Sequence, residues 1–464
     1  MAKRQSRTTF RDRLDHMVTT LRNDILTGKR VIGDYLPSET ALGEQFQLSK
    51  NSVRKGLEIL VSEGFIIKKP RMGNMVTKPL AESASVRFGY YPTVETEAQI
   101  NQLIMDFHKE YPNIRVQTVS LPIDGYHHTV TDYLRNNFVD VLTINYTDYR
   151  SFVEKGSIES FFEPLKLNPG IYPFLSRPFI HEGVFYVQPF IFSPTILCYN
   201  RNHFREKNVP EPDSSWTWND LTEVANQLAD PARELRYGFY FYHLASNRWI
   251  NFLLQSGMKF EQDETGKYRI CGTKLMEGLK WCRELISKPE FFPIYLSESD
   301  ADVEQLFLQE KVSMIMTTYF NLNHLLKADV PFDVSPLPHL YEPRTLLLII
   351  GLAVNRQSNQ KEAAQTLIDY LVSRRAQLKI RQETYSIPSL RSAAEWVGKE
   401  TIYRPARFHM YREIVPTFRL FTDTNLRSDD LEVIHRELKL FWSRLEDDEI
   451  VCQRLEQSMK KSCL

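Results

Sequence analysis

The sequence predicts a multidomain chain: a small basic α+β head followed by a large α/β body. Chain length, an uneven charge distribution and a change in hydropathy period lead to this reading. With 464 residues there is room for two or three domains. Formal net charge is zero, from 58 Lys and Arg against 58 Asp and Glu. Yet residues 1–80 hold 15 basic and 8 acidic side chains, and the remainder holds 43 and 50. Aromatic residues divide the same way, 4 in the first 80 positions and 52 beyond them. The neutral total argues against a nucleic-acid binder, but a head of +7 on a body of −7 does not.

In the head, Phe10, Leu14, Val18, Leu21 and Ile25 recur at steps of three and four, one apolar stripe on a helix over 10–27. Gly28 ends it. Ser38 is placed to cap a short helix that buries Ala41, Leu42 and Phe46. Ser49 is placed to cap a third helix with Val53, Leu57 and Leu60 inward. Lys50, Asn51 and Arg54 fall on an arc beside that apolar stripe. After Gly64, Phe65–Ile67 reads as a strand, Lys68–Gly73 as a basic turn and Asn74–Val76 as a returning strand. Three helices and a basic hairpin make a winged helix-turn-helix, whose third helix enters the major groove by its N-terminal end. Arg54 and Lys50 suit guanine edges or phosphates, and Asn51 suits adenine or phosphate. Lys68, Lys69 and Arg71 of the wing suit phosphates or the minor groove.

Leu36-Pro37-Ser38-Glu39, the run Leu48 to Leu57, Leu60 to Ile66 and Gly73 to Val76 resemble, in order and spacing, the signature of GntR-type bacterial regulators. The resemblance covers roughly residues 10–78. It implies that Ser49, Lys50, Asn51, Arg54 and the wing glycine Gly73 sit at the DNA. Ser38, Ser52 and Lys55 complete the DNA-side candidates. Two positions depart from the family pattern. Thr40 stands where arginine is common, and Lys50 replaces an arginine and its bidentate fork.

Domain boundaries are expected at 1–78 for the head, 79–85 for a linker and 86–464 for the body, because the small, polar, Pro-containing stretch Thr77–Ser85 is where the charge changes sign. In the body, Val86–Tyr91 reads as a strand, 97–111 as a helix with Ile100, Leu103, Ile104 and Phe107 inward, and Ile114–Val119 as a strand. A helix over 126–137 and a buried strand over Val139–Ile144 follow. This alternation predicts right-handed crossovers and a parallel sheet, with ligand beyond the carboxyl ends of the strands.

Several classes fall away. The N-terminus has no apolar stretch of the signal-peptide kind, and the longest apolar run, Leu346–Val354, is too short to span a bilayer, so a cytoplasmic protein without a membrane partner is expected. The five cysteines form no CxxC pair and no Cys/His ligand spacing, so neither a disulfide framework nor a zinc site is expected. His127, His128 and His243 show no metal spacing, and no metal or other cofactor is expected. No Gly-rich phosphate loop or nucleophile elbow is present, and an enzyme is not expected. Two other bodies met behind such heads are weighed against the pattern. An aminotransferase-like body needs a pyridoxal-phosphate lysine in a characteristic surround, which is not found; a metal- or acid-binding helical body conflicts with the strands.

The remaining reading rests on an ordered set of segments. Phe107 to Val116, Val139 to Val141, Gly156-Ser157-Ile158 with Glu163-Pro164-Leu165, Tyr186 to Asn200, Trp216 to Leu221, Phe307 to Met314, Asp333 to Pro338 and Gly351 to Val354 resemble the family 1 extracellular solute-binding proteins. The resemblance spans roughly 85–390. It implies a two-lobed α/β body of the type II periplasmic-binding-protein class, lobe one from about 86–192 plus 336–376 and lobe two from the remainder. Fused to a DNA-binding head, such a trap is expected to sense a ligand, a sugar or oligosaccharide, and to act as a homodimeric regulator, a repressor, on double-stranded operator DNA. Aromatic rings cover sugar faces, and amides or carboxylates bond the hydroxyls. The cleft candidates, all read as loop positions, are Tyr91, Glu95, Asn145, Tyr146, Asp148, Ser193, Asn247, Trp249, Tyr319 and Asn321. Trp216 and Trp218 are expected to pack at a helix start.

Overall fold

The computed structural model describes residues 10–459 apart from Thr27, Arg71, 78–83, 231–234, Thr265, Lys267 and 294–296. Arg71 of the expected wing, most of the expected linker and the side chain of Phe10 therefore lie outside the described residues. The chain divides into two compact units, Met1–Ser85 with His108–Arg115, and Val86–Phe107 with Val116–Leu464.

The head is built from α1 (Phe10–Leu26), α2 (Glu39–Phe46), α3 (Lys50–Ser62) and the antiparallel pair β1 (Ile66–Lys69) and β2 (Gly73–Val76). Met17, Val18, Leu21 and Ile25 of α1 meet Leu42, Phe46, Val53, Leu57 and Leu60 in one core closed by Ile66 and Val76. Each large aliphatic chain buried there stabilises the head by about 1.5–3 kcal/mol before entropy is counted. Ser38 accepts a hydrogen bond from the Ala41 amide at 3.2 Å and Ser49 from the Ser52 amide at 3.3 Å, so both predicted N-caps form. Gln47, in the left-handed region at φ 53°, separates α2 from α3. Gly56 lies where α3 meets α1; a Cβ there would collide with the Met17 methyl. The segment before α2 also joins the wing, with Gly33 N donating to Val76 O at 2.8 Å and Leu36 N to Asn74 O at 2.8 Å.

The body begins with β3 (Ala84–Tyr90), α4 (Ile100–Glu110), β4 (Ile114–Ser120), α5 (Tyr126–Arg135), β5 (Val141–Asn145) and α6 (Tyr146–Glu154). The four apolar residues expected inward on α4 are buried. Then come β6 (Gln188–Asn200), α7 (Trp218–Leu228), β7 (Tyr237–Tyr240), α8 (Ser246–Gln255) and α9 (Lys274–Ile286). β8 (Val312–Thr318), β9 (Phe332–Ser335) and β10 (Thr345–Val354) complete the sheet, and α10 (Ser428–Trp442) and α11 (Asp448–Ser458) lie near the C-terminus. Trp218 stacks on Phe252 at 4.7 Å and its Nε1 donates to Gln255, a packing role as expected.

The sheet runs β4-β3-β5-β10-β6-β8-β7, with β9 also on β6. It is mixed, which corrects the expectation of a parallel sheet. β3 pairs parallel with β5 and β7 with β8, whereas β10 is antiparallel to β5 and β6, and β6 to β8. The reason is β6, whose 13 residues are all buried. Its first half, to Pro194, pairs with β10, and from Thr195 it pairs with β8 and β9. One strand thus serves two lobes, and its neighbours return antiparallel to it.

A second correction concerns the cysteines. Cys271 and Cys452 form a disulfide across a sequence separation of 181, with Cα atoms 5.5 Å apart. Nothing local in the sequence signals a pairing that folding alone brings together. Cys198 and Cys282 are free and buried.

Candidate DNA-binding face and ligand cleft

On the head, Thr40, Ser49, Lys50, Asn51, Arg54 and Lys55 are exposed around the N-terminal end of α3, and Lys69 and Gly73 are exposed on the wing. Ser38 and Ser49 serve their helices as caps. Ser52 is buried, its hydroxyl 2.7 Å from that of Ser49, so its role is local. Arg54 Nε donates to Glu39 Oε2 at 2.8 Å, which orients the guanidinium across the gap between α2 and α3. Lys50, Lys55, Lys68 and Lys69 have no ion-pair partner among the described residues, leaving four cations free on one small unit. At the far end of α3, Arg22 grips Glu63 through two bonds of 3.0 and 2.7 Å and fixes α1 against it.

In the body, a cleft of about 1130 Å³ opens beyond the carboxyl ends of the strands. One wall comes from the start of α5 (Asp124, Tyr126, His127 and Thr131) and from Asp148 and Ser151 of α6. The opposite wall is the segment Tyr242–Asn247 after β7 with Glu298–Asp300. Helix α10 forms a third wall through Asp429, Glu432, His435 and Lys439. Ser428 at its start donates from its amide and hydroxyl to Glu154 Oε2 of α6 at 2.9 and 2.7 Å. Next to it, α11 binds α9, since Asp448 pairs with Lys280 at 2.7 Å and Arg283 at 2.5 Å, and the guanidinium of Arg283 lies 4.1 Å over Phe441 of α10. The C-terminal helices therefore hold elements on both sides of the cleft.

Three of the ten predicted cleft residues form one cluster. The Tyr91 hydroxyl donates to Asp148 Oδ2 at 2.5 Å, Asn145 Nδ2 donates to the same oxygen at 2.7 Å, and the Asn145 amide donates to the Tyr91 hydroxyl at 3.1 Å. Burial pushes the Asp148 carboxyl up to about 6, against the pull of these two donors. Burial, and then the Asp148 charge, raise the Tyr91 phenol. Asp148 and Asn247 line the cleft, with Tyr91 and Asn145 bonded behind Asp148.

The other six candidates are placed differently, and the expectation that all ten occupy loops is corrected. Asn145 ends β5, Ser193 lies on β6, Asn247 and Trp249 on α8, Tyr146 and Asp148 on α6, Glu95 in a short helix (Val94–Ala98) and Asn321 in a 3-10 turn (Asn321–Leu325). Ser193, Trp249 and Tyr319 are fully buried. Ser193 accepts the Tyr319 amide at 2.7 Å, and the Tyr319 hydroxyl donates to Phe408 O at 2.8 Å. Tyr146 packs against Phe179 and Phe421, Glu95 accepts from Tyr90, and Asn321 bonds Thr318. Apart from the indole nitrogen of Trp249, which is buried without a hydrogen-bond partner, their polar groups are engaged inside the protein, because aromatic and hydroxyl residues serve a core as readily as a cleft. Among the residues missed are Asp124, Thr131, Glu298, Asp300 and the face of α10. A signal existed for the last: Asp429, Glu432, His435 and Lys439 recur at helical spacing as one polar stripe.

Comparison with known proteins assigns a family to each part of the chain. Residues 102–408 match the bacterial extracellular solute-binding protein family, and residues 15–76 match the bacterial regulatory proteins of the gntR family. The sn-glycerol-3-phosphate-binding periplasmic protein UgpB of Brucella abortus is 21% identical over 271 residues, 54% of this chain and 58% of the relative. The chain thus spans a little over half the length of that relative. An uncharacterized HTH-type transcriptional regulator of Escherichia coli, YieP, is 40% identical over 52 residues, 11% of this chain and 23% of YieP. Maltose-bound MalE3 of T. maritima superposes with a TM-score of 0.68 at 18% identity, covering 81% of this chain and 98% of MalE3, which shows a common fold. Neither matched family is a family of enzymes. This chain belongs to the bacterial extracellular solute-binding proteins, and carries at its N-terminus the helix-turn-helix domain of the gntR family of bacterial regulators.

Proposed function

We propose that this protein is a ligand-responsive transcription regulator in which the head binds operator DNA and the body captures a carbohydrate that alters that binding. One observation carries the reading: a gntR-type head and a solute-binding body share one chain. A DNA-binding unit has no use on an exported trap, so the working compartment is the cytoplasm. The head is taken as residues 1–78 and the body as 86–464, two lobes closing on the ligand. Lys50, Asn51 and Arg54 read or grip the major groove, with Thr40, Lys55 and the wing at the backbone. Asp148 and Asn247, facing each other across the cleft, bond the sugar hydroxyls, and Tyr91 and Asn145 hold Asp148 in place. A sugar that bonds both lobes favours the closed state by its differential affinity. In a homodimer, closure changes how the two heads match half-sites about 34 Å apart.

The experiment is a linkage measurement. Operator affinity is measured by fluorescence anisotropy with and without a sugar found by thermal-shift screening, and sugar affinity is measured with and without operator. The two ratios must be equal. Sugar binding that leaves operator affinity unchanged would reject the regulatory coupling, and hits confined to amino acids or metals would reject the carbohydrate.

A further inference from the structure

The cleft carries a charge that a neutral sugar does not need. Each wall contributes a carboxylate whose side chain has no hydrogen bond or ion pair among the described residues: Asp124 on the first lobe, Glu298 on the second and Glu432 on α10. Asp148 adds a fourth acid on the wall. The cations do not balance them. Lys155 is engaged with Asp429 at 3.8 Å, which leaves Arg135 and Lys439. Burial, followed by neighbouring Lys155 for His127 and Lys439 for His435, lowers both imidazoles, so neither adds positive charge near neutral pH.

Two further features point to an absent ligand. Thr131, nine-tenths buried, lines the same cleft with its hydroxyl unpartnered, and His127 Nε2 and Asn247 Oδ1 are also shielded and unpartnered. Among the described residues the tyrosines of the lining are Tyr126 and Tyr242, and Tyr126 is buried with its hydroxyl committed to Thr143 O at 2.6 Å. Charged and hydrogen-bonding groups thus outnumber exposed rings among the described lining residues, which favours recognition by charge and hydrogen bonds. The third wall is also outside the part of the chain that matches the solute-binding family, which ends at residue 408.

We propose that the effector is a cationic carbohydrate, a sugar or short oligosaccharide bearing at least one protonated amine, and that α10 selects it through Glu432. The proposal rests on the reading of the cleft as the effector site. A protonated amine within the cleft is attracted by the charges of Asp124, Glu298 and Glu432 on its three walls, so its binding draws the lobes and α10 together. A phosphorylated ligand such as the one UgpB is named for would instead meet repulsion here.

The test is titration calorimetry on the full chain with glucosamine and chitosan trisaccharide, against their N-acetylated counterparts and the neutral parents glucose and cellotriose. The amines are expected to bind about tenfold more tightly than the N-acetylated forms at low salt, the sum of a few partly screened ion pairs, with the preference shrinking as salt rises. Glu432→Gln should remove most of that preference while leaving the melting temperature unchanged, and Glu298→Gln should remove part of it. Equal or tighter binding of the neutral counterpart would overturn the proposal, as would a Glu432→Gln variant that weakens both classes equally. If sugars of neither kind bind, the carbohydrate reading of the cleft fails, and this proposal with it.

Discussion

Arg54 offers the sharpest test of the DNA-binding face, because its cost to folding and its effect on binding separate. In the free protein its Nε pairs with Glu39 at 2.8 Å, with side chains 56% and 27% exposed. An exposed pair of this kind contributes about 0.2–1 kcal/mol, so Arg54→Ala should barely move the melting temperature. On DNA, a guanidinium forked on a guanine edge discriminates by about 1–3 kcal/mol. Leaving Glu39 takes back part of that gain, so the net loss per head is about 1–2 kcal/mol, a weakening of roughly five- to thirtyfold. If Arg54 grips a phosphate instead, binding weakens on all sequences and the salt slope falls by about 0.9. The assay is anisotropy on a duplex selected from a random pool, at several salt concentrations. Arg54→Lys keeps the charge and loses the fork, which tells base reading from phosphate contact. Unchanged affinity and unchanged slope in Arg54→Ala would refute the assignment of α3 as the recognition helix.

Further outcomes concern stability. Glu304 is fully buried, accepts from Thr317 at 2.6 Å and is pushed up to about 8, first by burial and then by Asp300. An acid raised this way binds more protons folded than unfolded, so its contribution is complete below its unfolded value of 4.5 and is lost as pH rises to about 8. Glu304→Gln should therefore flatten the fall in denaturant midpoint over that range; an unchanged profile would show that Glu304 is ionised in the fold. The disulfide Cys271–Cys452 closes a loop of 181 positions, for which chain entropy sets an upper bound of about 5 kcal/mol. Reductant, or Cys452→Ser, should lower the melting temperature of oxidised protein, and a melt indifferent to both would mean that the bridge does not form in solution. Gly238 of β7 faces the backbone of Ala225 on α7, where an added Cβ would strike the carbonyl. Gly238→Ala should cost about 3 kcal/mol or more in chemical denaturation, since backbone cannot move aside as a side chain can. A loss under 1 kcal/mol would show slack between α7 and the sheet.

How much of this could be read in the sequence depends on range. The head was legible because its signals are local: the caps Ser38 and Ser49, the α1 stripe and the basic turn all act within a few residues of themselves. Its one hidden feature, the 33–36 segment lying on the wing, depends on pairing with Val76 some forty positions away. In the body, the amphipathic α4 was legible for the same local reason. β6 had no alternation to reveal it as a strand, because a strand buried on both faces needs none. Four of the ten cleft candidates gather at or behind the cleft wall, and those four follow strand ends or begin a helix. The rest were polar or aromatic residues buried or bonded within the fold, Trp249 by packing alone.

By itself, the sequence determined that a basic helix-turn-helix head precedes an acidic α/β body, since charge, capping and hydropathy period are properties of neighbouring residues; the two lobes were implied by the resemblance to solute-binding proteins. Tertiary structure alone decided the mixed sheet built on β6, the bridge between Cys271 and Cys452, and a cleft walled by α5, the segment after β7 and α10. Those features join positions up to three hundred residues apart, and which distant groups meet is set by how the elements pack, which no local pattern of residues records.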